Sequence, residues 1–119
     1  MNEHTTPAAQ QAAPPKLVSQ LLLEDESLRD MVEEFVANLE KRVKELQHAY
    51  EKLDWQQLTM LAHRLKGAAG SYGYPDISQV CATMERNFTA HQADAFAAWA
   101  AELERLVQGA RQGLAPTGE

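Results

Sequence analysis

The sequence predicts an all-α chain, an antiparallel up-down-up-down four-helix bundle with a short extra N-terminal helix. Three observations lead there. Apolar residues recur at three- and four-residue steps over most of the length, the spacing of one helix face. Two aspartates each stand three places before a glutamine at the head of such a run, Asp54 with Gln57 and Asp76 with Gln79, as helix-capping pairs do. No stretch alternates polar and apolar residues in the way a half-buried strand requires.

Taken in order, residues 1–15 contain three prolines and no branched apolar or aromatic side chain to bury, which predicts a disordered N-terminal arm. The apolar piece Leu17–Leu23 predicts a short covering turn of helix. Leu28, Met31, Val32, Phe35, Val36, Leu39, Val43, Leu46 and Tyr50 then predict one long helix from about Glu26 to Lys52, started by Asp25 or Ser27. Asp54 opens a second helix that runs to about Tyr72 and is broken by Gly73-Tyr74-Pro75. Asp76 starts a third, with Ile77, Val80, Cys81, Met84 and Phe88 on its apolar side. Thr89 or Asp94 starts a fourth, carrying Phe96, Trp99, Leu103, Leu106 and Val107 and fraying near Gly109–Gly113. Residues 16–113 thus form the bundle, and 114–119 a flexible tail. Short connections favour antiparallel neighbours.

Composition narrows the function. The 119 residues are 45% hydrophobic, enough for one real core and too few for a nucleotide-binding domain beside a substrate domain. A formal charge of −6 argues against nucleic acid as a partner. The lone cysteine, Cys81, cannot close an internal disulfide and falls on an apolar stripe, so packing and a reducing compartment are expected. No secretory signal opens the chain, and no apolar run is long enough to span a bilayer. A cytoplasmic monomer, needing no cofactor, is the expectation.

The second helix departs from pattern at Leu61-Ala-His-Arg-Leu-Lys-Gly-Ala-Ala-Gly-Ser-Tyr-Gly73. At about 100° per residue, Leu58, Leu61, Leu65, Ala68, Ala69 and Tyr72 share the core side. His63, Gly67 and Gly70 share the opposite side, flanked by Thr59, Met60 and Lys66. A mid-helix glycine costs about 1 kcal/mol relative to alanine, and here the core does not demand it. Glycine beside an outward histidine leaves the imidazole open to a bulky reactant. A neutral imidazole is nucleophilic near neutrality, with an ordinary pKa of about 6.5. In-line attack on a phosphoryl group needs such clearance, and a cation such as Lys66 would offset charge on the phosphoryl oxygens. No glycine-rich nucleotide-phosphate loop is present, so the phosphoryl donor must come from elsewhere.

His63-Arg-Leu-Lys66-Gly67 with Gly73 ten residues on resembles the signature of histidine-containing phosphotransfer (HPt) domains, over about Leu17–Gly109. The resemblance implies a phosphocarrier without kinase activity. His63 would be the phospho-acceptor, Lys66 would contact the phosphoryl group, Gly67 would keep the site open, and Gly73 would end the helix. It implies receiver domains or a hybrid sensor histidine kinase as partners, with Thr59, Met60, Arg64, Lys66, Gly67 and Gly70 at the contact. Many members carry glutamine 22 residues after the histidine to orient the ring, and here Glu85 stands there. A carboxylate could hold the Nδ1 proton and leave Nε2 free, and could also raise the pKa of the histidine. A four-helix adaptor that binds a receiver or kinase without transferring phosphate is the alternative, and it leaves the outward glycines unexplained. A piece of a hybrid sensor kinase is a further reading, against which the initial Met1 and the complete bundle favour a free-standing protein. His4, His48 and His91 lack the surrounding pattern and are expected at the surface, and no ligand set for a metal is evident. Trp55 and Trp99 are expected as core or bundle-end plugs.

Overall fold

A computed structural model describes residues 15–114, so the predicted arm up to residue 14 and the tail from 115 lie outside the described residues. The elements are α1 (Gln20–Glu24), a 3₁₀ turn (Glu26–Leu28), α2 (Arg29–Ala37), α3 (Leu39–Glu51), α4 (Trp55–Ser71), α5 (Pro75–Thr89) and α6 (Phe96–Leu114). With α2 and α3 acting as one arm, these form a four-helix bundle plus a short N-terminal helix, the predicted class.

Each helix contributes its apolar stripe to one core. Val32, Phe35, Leu39, Val43 and Leu46 face Leu58, Ala62, Leu65 and Ala69 of α4, Ile77, Cys81, Met84 and Phe88 of α5, and Leu103, Leu106, Val107 and Ala110 of α6. Burial of a Val, Leu or Phe side chain contributes about 1.5–3 kcal/mol, so these stripes supply the main drive for assembly. Cys81 is fully buried, and burial pushes its thiol up to about 12. Trp55 and Trp99 pack half-buried against the core, Trp99 meeting Phe88 edge-on at 5.8 Å.

Several sequence expectations change in detail. The long first helix is interrupted at Asn38, whose Nδ2 donates to the Glu34 carbonyl at 2.9 Å. Its side chain thereby competes for a carbonyl of the helical ladder. Upstream, Asp25 accepts from the Ser27 N–H and tightens Glu26–Leu28 into a 3₁₀ turn, so the α-helix starts only at Arg29. Met31, placed in the apolar set, is 51% exposed. On α4, Ala62 rather than Leu61 is fully buried, while Leu61, Ala68 and Tyr72 are half-buried. Asp54 caps α4 as expected, accepting from the Gln57 N–H at 3.1 Å. Asp76 does not cap α5: Pro75 takes the first helical position, where its missing N–H costs nothing, and pushes Asp76 into the first turn. Thr89 ends α5 instead of opening the next helix, and α6 begins at Phe96.

The largest correction concerns Gly109 and Gly113, expected to fray. The helix runs through both to Leu114, one residue into the expected tail. A Cβ on Gly109 would overlap the Pro15 carbonyl oxygen, and one on Gly113 that of Leu17. The Leu17 N–H donates to the Gly109 carbonyl at 3.0 Å. Residues 15–19 are therefore a strap laid on the α6 backbone, and glycine is what permits the approach. Pro15, placed in the arm, belongs to it. The strap ends on buried Ser19, which donates to the Tyr72 carbonyl at 2.6 Å and caps α1.

Candidate functional site

Because Leu58, Ala62, Leu65 and Ala69 turn one side of α4 into the core, His63, Gly67 and Gly70 emerge on the other. The His63 side chain is 65% exposed. Among the described residues a Cβ on Gly67 would meet nothing beyond its own stretch of helix within 4 Å, so that position leaves bare space one turn from the imidazole. Gly70 differs: its missing Cβ would make an ordinary 3.6 Å contact with Ser78 Oγ, at the seam between α4 and α5. The same hydroxyl donates to the Lys66 carbonyl at 2.9 Å and ties the two helices beside the site.

That packing brings Glu85 of α5 under the exposed face. Its Oε2 lies 2.9 Å from His63 Nδ1, and its Oε1 lies 2.8 Å from Lys66 Nζ. The Lys66 ammonium foremost, with the imidazole, holds the Glu85 carboxyl below its ordinary value despite partial burial. An ionised carboxylate only accepts hydrogen bonds, so the Nδ1–H donates to it and the Nε2 lone pair is turned outward. An outward lone pair, a cation one turn away and an unobstructed approach suit attack on an electrophile as large as a phosphoryl group.

The remaining predicted positions distribute around this centre. Thr59 and Met60 are half-buried and line a groove with Trp55, His63, Glu85 and Phe88. Arg64 is exposed and lies toward α3, in a separate groove with Lys41, Lys44, His48 and Lys52. It stands one residue from His63 yet on a different flank. His91, set aside as a surface residue, is exposed and also lines the His63 groove, stacked on Trp55 with centroids 5.1 Å apart. Sequence reasoning missed this placement because His91 follows the end of α5 at φ 57°, where helical periodicity no longer applies. Ser78 was also missed, for no single-helix pattern marks a cross-helix bond. Among the described residues no three His, Cys, Asp or Glu side chains group as metal ligands, and no helix is long and apolar enough to cross a membrane.

Comparison with family models gives a match to the Hpt domain over residues 30–113, from the start of α2 to the end of α6. The chain belongs to the Hpt domain family. No curated protein and no solved structure matches it. Hpt domains are phosphocarriers of two-component phosphorelays and work with receiver domains and kinases. The match leaves the strap and α1 outside it.

Proposed function

We propose that His63 is the phospho-accepting residue of this Hpt domain. It receives the phosphoryl group from an aspartyl-phosphate on one receiver domain and passes it to the aspartate of another. The observation that carries this reading is the pairing of His63 Nδ1 with Glu85 at 2.9 Å, which leaves Nε2 as the free nucleophile above an empty Gly67 face. The Nε2 lone pair attacks phosphorus, the P–O bond to the donor aspartate breaks, and its electron pair leaves with the carboxylate. Lys66, on a flexible stem, turns from Glu85 to the phosphoryl oxygens as their charge develops. Met60, Thr59 and the glycine face form the centre of the docking area, with Lys66 and Arg64 at its rim. A bundle that closes its own core works as a monomer, and we place it in the cytoplasm with its receivers.

The test is transfer of label from a panel of aspartyl-phosphorylated receiver domains to wild type and His63→Gln. Acid-labile, alkali-stable label on wild type alone is expected, with both proteins melting alike because the side chain is exposed. A folded wild type that no receiver labels would shift the reading to an adaptor that binds without transfer.

A further inference from the structure

The contact that orients the imidazole has a second chemical consequence, which concerns how the phosphoryl group leaves. Glu85 touches both His63 and Lys66 and stays ionised at neutral pH. A neutral amide at its place would accept the Nδ1–H through its oxygen and orient the ring equally well. Only a carboxylate adds a negative charge next to that proton.

We propose that Glu85 is a positioning residue for discharge: it keeps Nδ1 protonated after Nε2 has been phosphorylated, so that the phosphohistidine is built to let go. This rests on His63 being the acceptor. When the neutral Nδ1–H imidazole attacks, the new N–P bond leaves the ring positively charged. An imidazolium in water titrates near 6.5, and a phosphorylated ring that has shed its Nδ1 proton must depart as imidazolate, a poor leaving group. Beside Glu85 the proton stays. In the reverse step the P–N bond breaks, its pair returns to Nε2, and neutral imidazole departs while a receiver aspartate or water takes the phosphoryl group. No proton need move in either direction, so the same geometry serves loading and unloading.

The opposing charges are identifiable. On α4 Lys66 reaches the same carboxylate, and Arg64 lies toward α3. On α5 Arg86 lines the surface beside Lys66 and Glu85, and beyond that helix His91 is the other titratable group of the His63 groove. Lys66 offsets part of the carboxylate's pull, and the exposed ring is well hydrated. The net effect is therefore a modest one, in the direction that the adjacent carboxylate sets.

The experiment loads wild type and Glu85→Gln with phosphoramidate, which phosphorylates histidine without a protein donor. Loss of phosphohistidine is followed by phosphorus NMR from about pH 5 to about pH 10, the His63 signal being assigned by its absence in His63→Gln. In wild type the loss slows as pH rises through the ring pKa. In Glu85→Gln that midpoint falls, and near pH 8 the half-life lengthens severalfold. Lys66→Met moves the midpoint the other way, since it removes the competing cation, and guards against a folding defect in the first variant. An unchanged midpoint in Glu85→Gln, or a longer half-life with no shift in midpoint, overturns the proposal and leaves Glu85 a ring-orienting group only. If the chemically loaded protein shows the expected profile while no receiver labels it, the role of Glu85 stands and the proposed donor falls.

Discussion

In the middle of α4 a Cβ built on Gly67 meets none of the described residues beyond its own stretch of helix within 4 Å, whereas near the end of α6 one built on Gly113 would run into the Leu17 carbonyl. Both glycines sit inside helices, where each costs about 1 kcal/mol relative to alanine. In α6 the molecule itself uses the vacated space, laying residues 15–19 across Gly109 and Gly113 and fastening them with the Leu17–Gly109 hydrogen bond. In α4 nothing among the described residues fills the space, and the vacancy lies beside an exposed imidazole. One region of glycine serves folding, and the other, on the proposed reading, serves approach from outside. A mid-helix glycine therefore carries meaning only once its neighbours in space are known.

Substitutions separate the two uses. The largest stability effect is expected at Gly113→Val, where the side chain and the strap backbone cannot share the space, at about 3 kcal/mol in thermal or urea melting. Faster hydrogen exchange at the Leu17 N–H would locate the damage in the strap. Gly73→Ala comes next at about 2 kcal/mol, because φ is 88° and the added Cβ would crowd the Gln20 and Leu21 nitrogens. At Gly67 the comparison inverts. Gly67→Gln folds at least as well as wild type but slows phosphoryl transfer about tenfold by blocking the approach to His63. Normal transfer by this variant would break the distinction between the two regions. Gly67→Ala raises stability by about 1 kcal/mol and isolates the propensity effect from the steric one.

The smallest expected effect is electrostatic. Glu85 titrates below its ordinary 4.5, a shift that carbon NMR of its carboxyl reads directly, and Lys66→Met moves it back upward. The sign follows from linkage: a depressed carboxyl pKa stabilises the fold above the unfolded value, and that contribution is lost as pH falls through the folded one. The carboxylate is near solvent, so its share of stability is slight.

Most of the bundle was legible because helical burial is a local periodicity. The spacing of Leu58 and Leu65, and of Ile77, Cys81, Met84 and Phe88, identifies inward faces without knowledge of what they meet. The exposure of His63 with Lys66 and Gly67 was legible for the same reason, since neighbours at three and four residues share a face in any α-helix. Where periodicity alone was followed too far, the boundaries slipped: Asn38 interrupts the first arm with its own side chain, and Pro75 displaces Asp76 from the cap.

The sequence by itself thus determined an all-α bundle and the outward histidine, lysine and glycine of α4, because these follow from the geometry of a single helix. Glu85, 22 residues from His63, was reachable in sequence through family resemblance but not through periodicity. Its placement within hydrogen-bond reach of both His63 and Lys66 is decided by the register of α5 against α4, which Ser78 ties at the Lys66 carbonyl. The strap on Gly109 and Gly113 is likewise tertiary, a contact between residues more than ninety positions apart. Such contacts depend on how elements pack, and close packing admits few registers while no one helix records which of them its neighbours take.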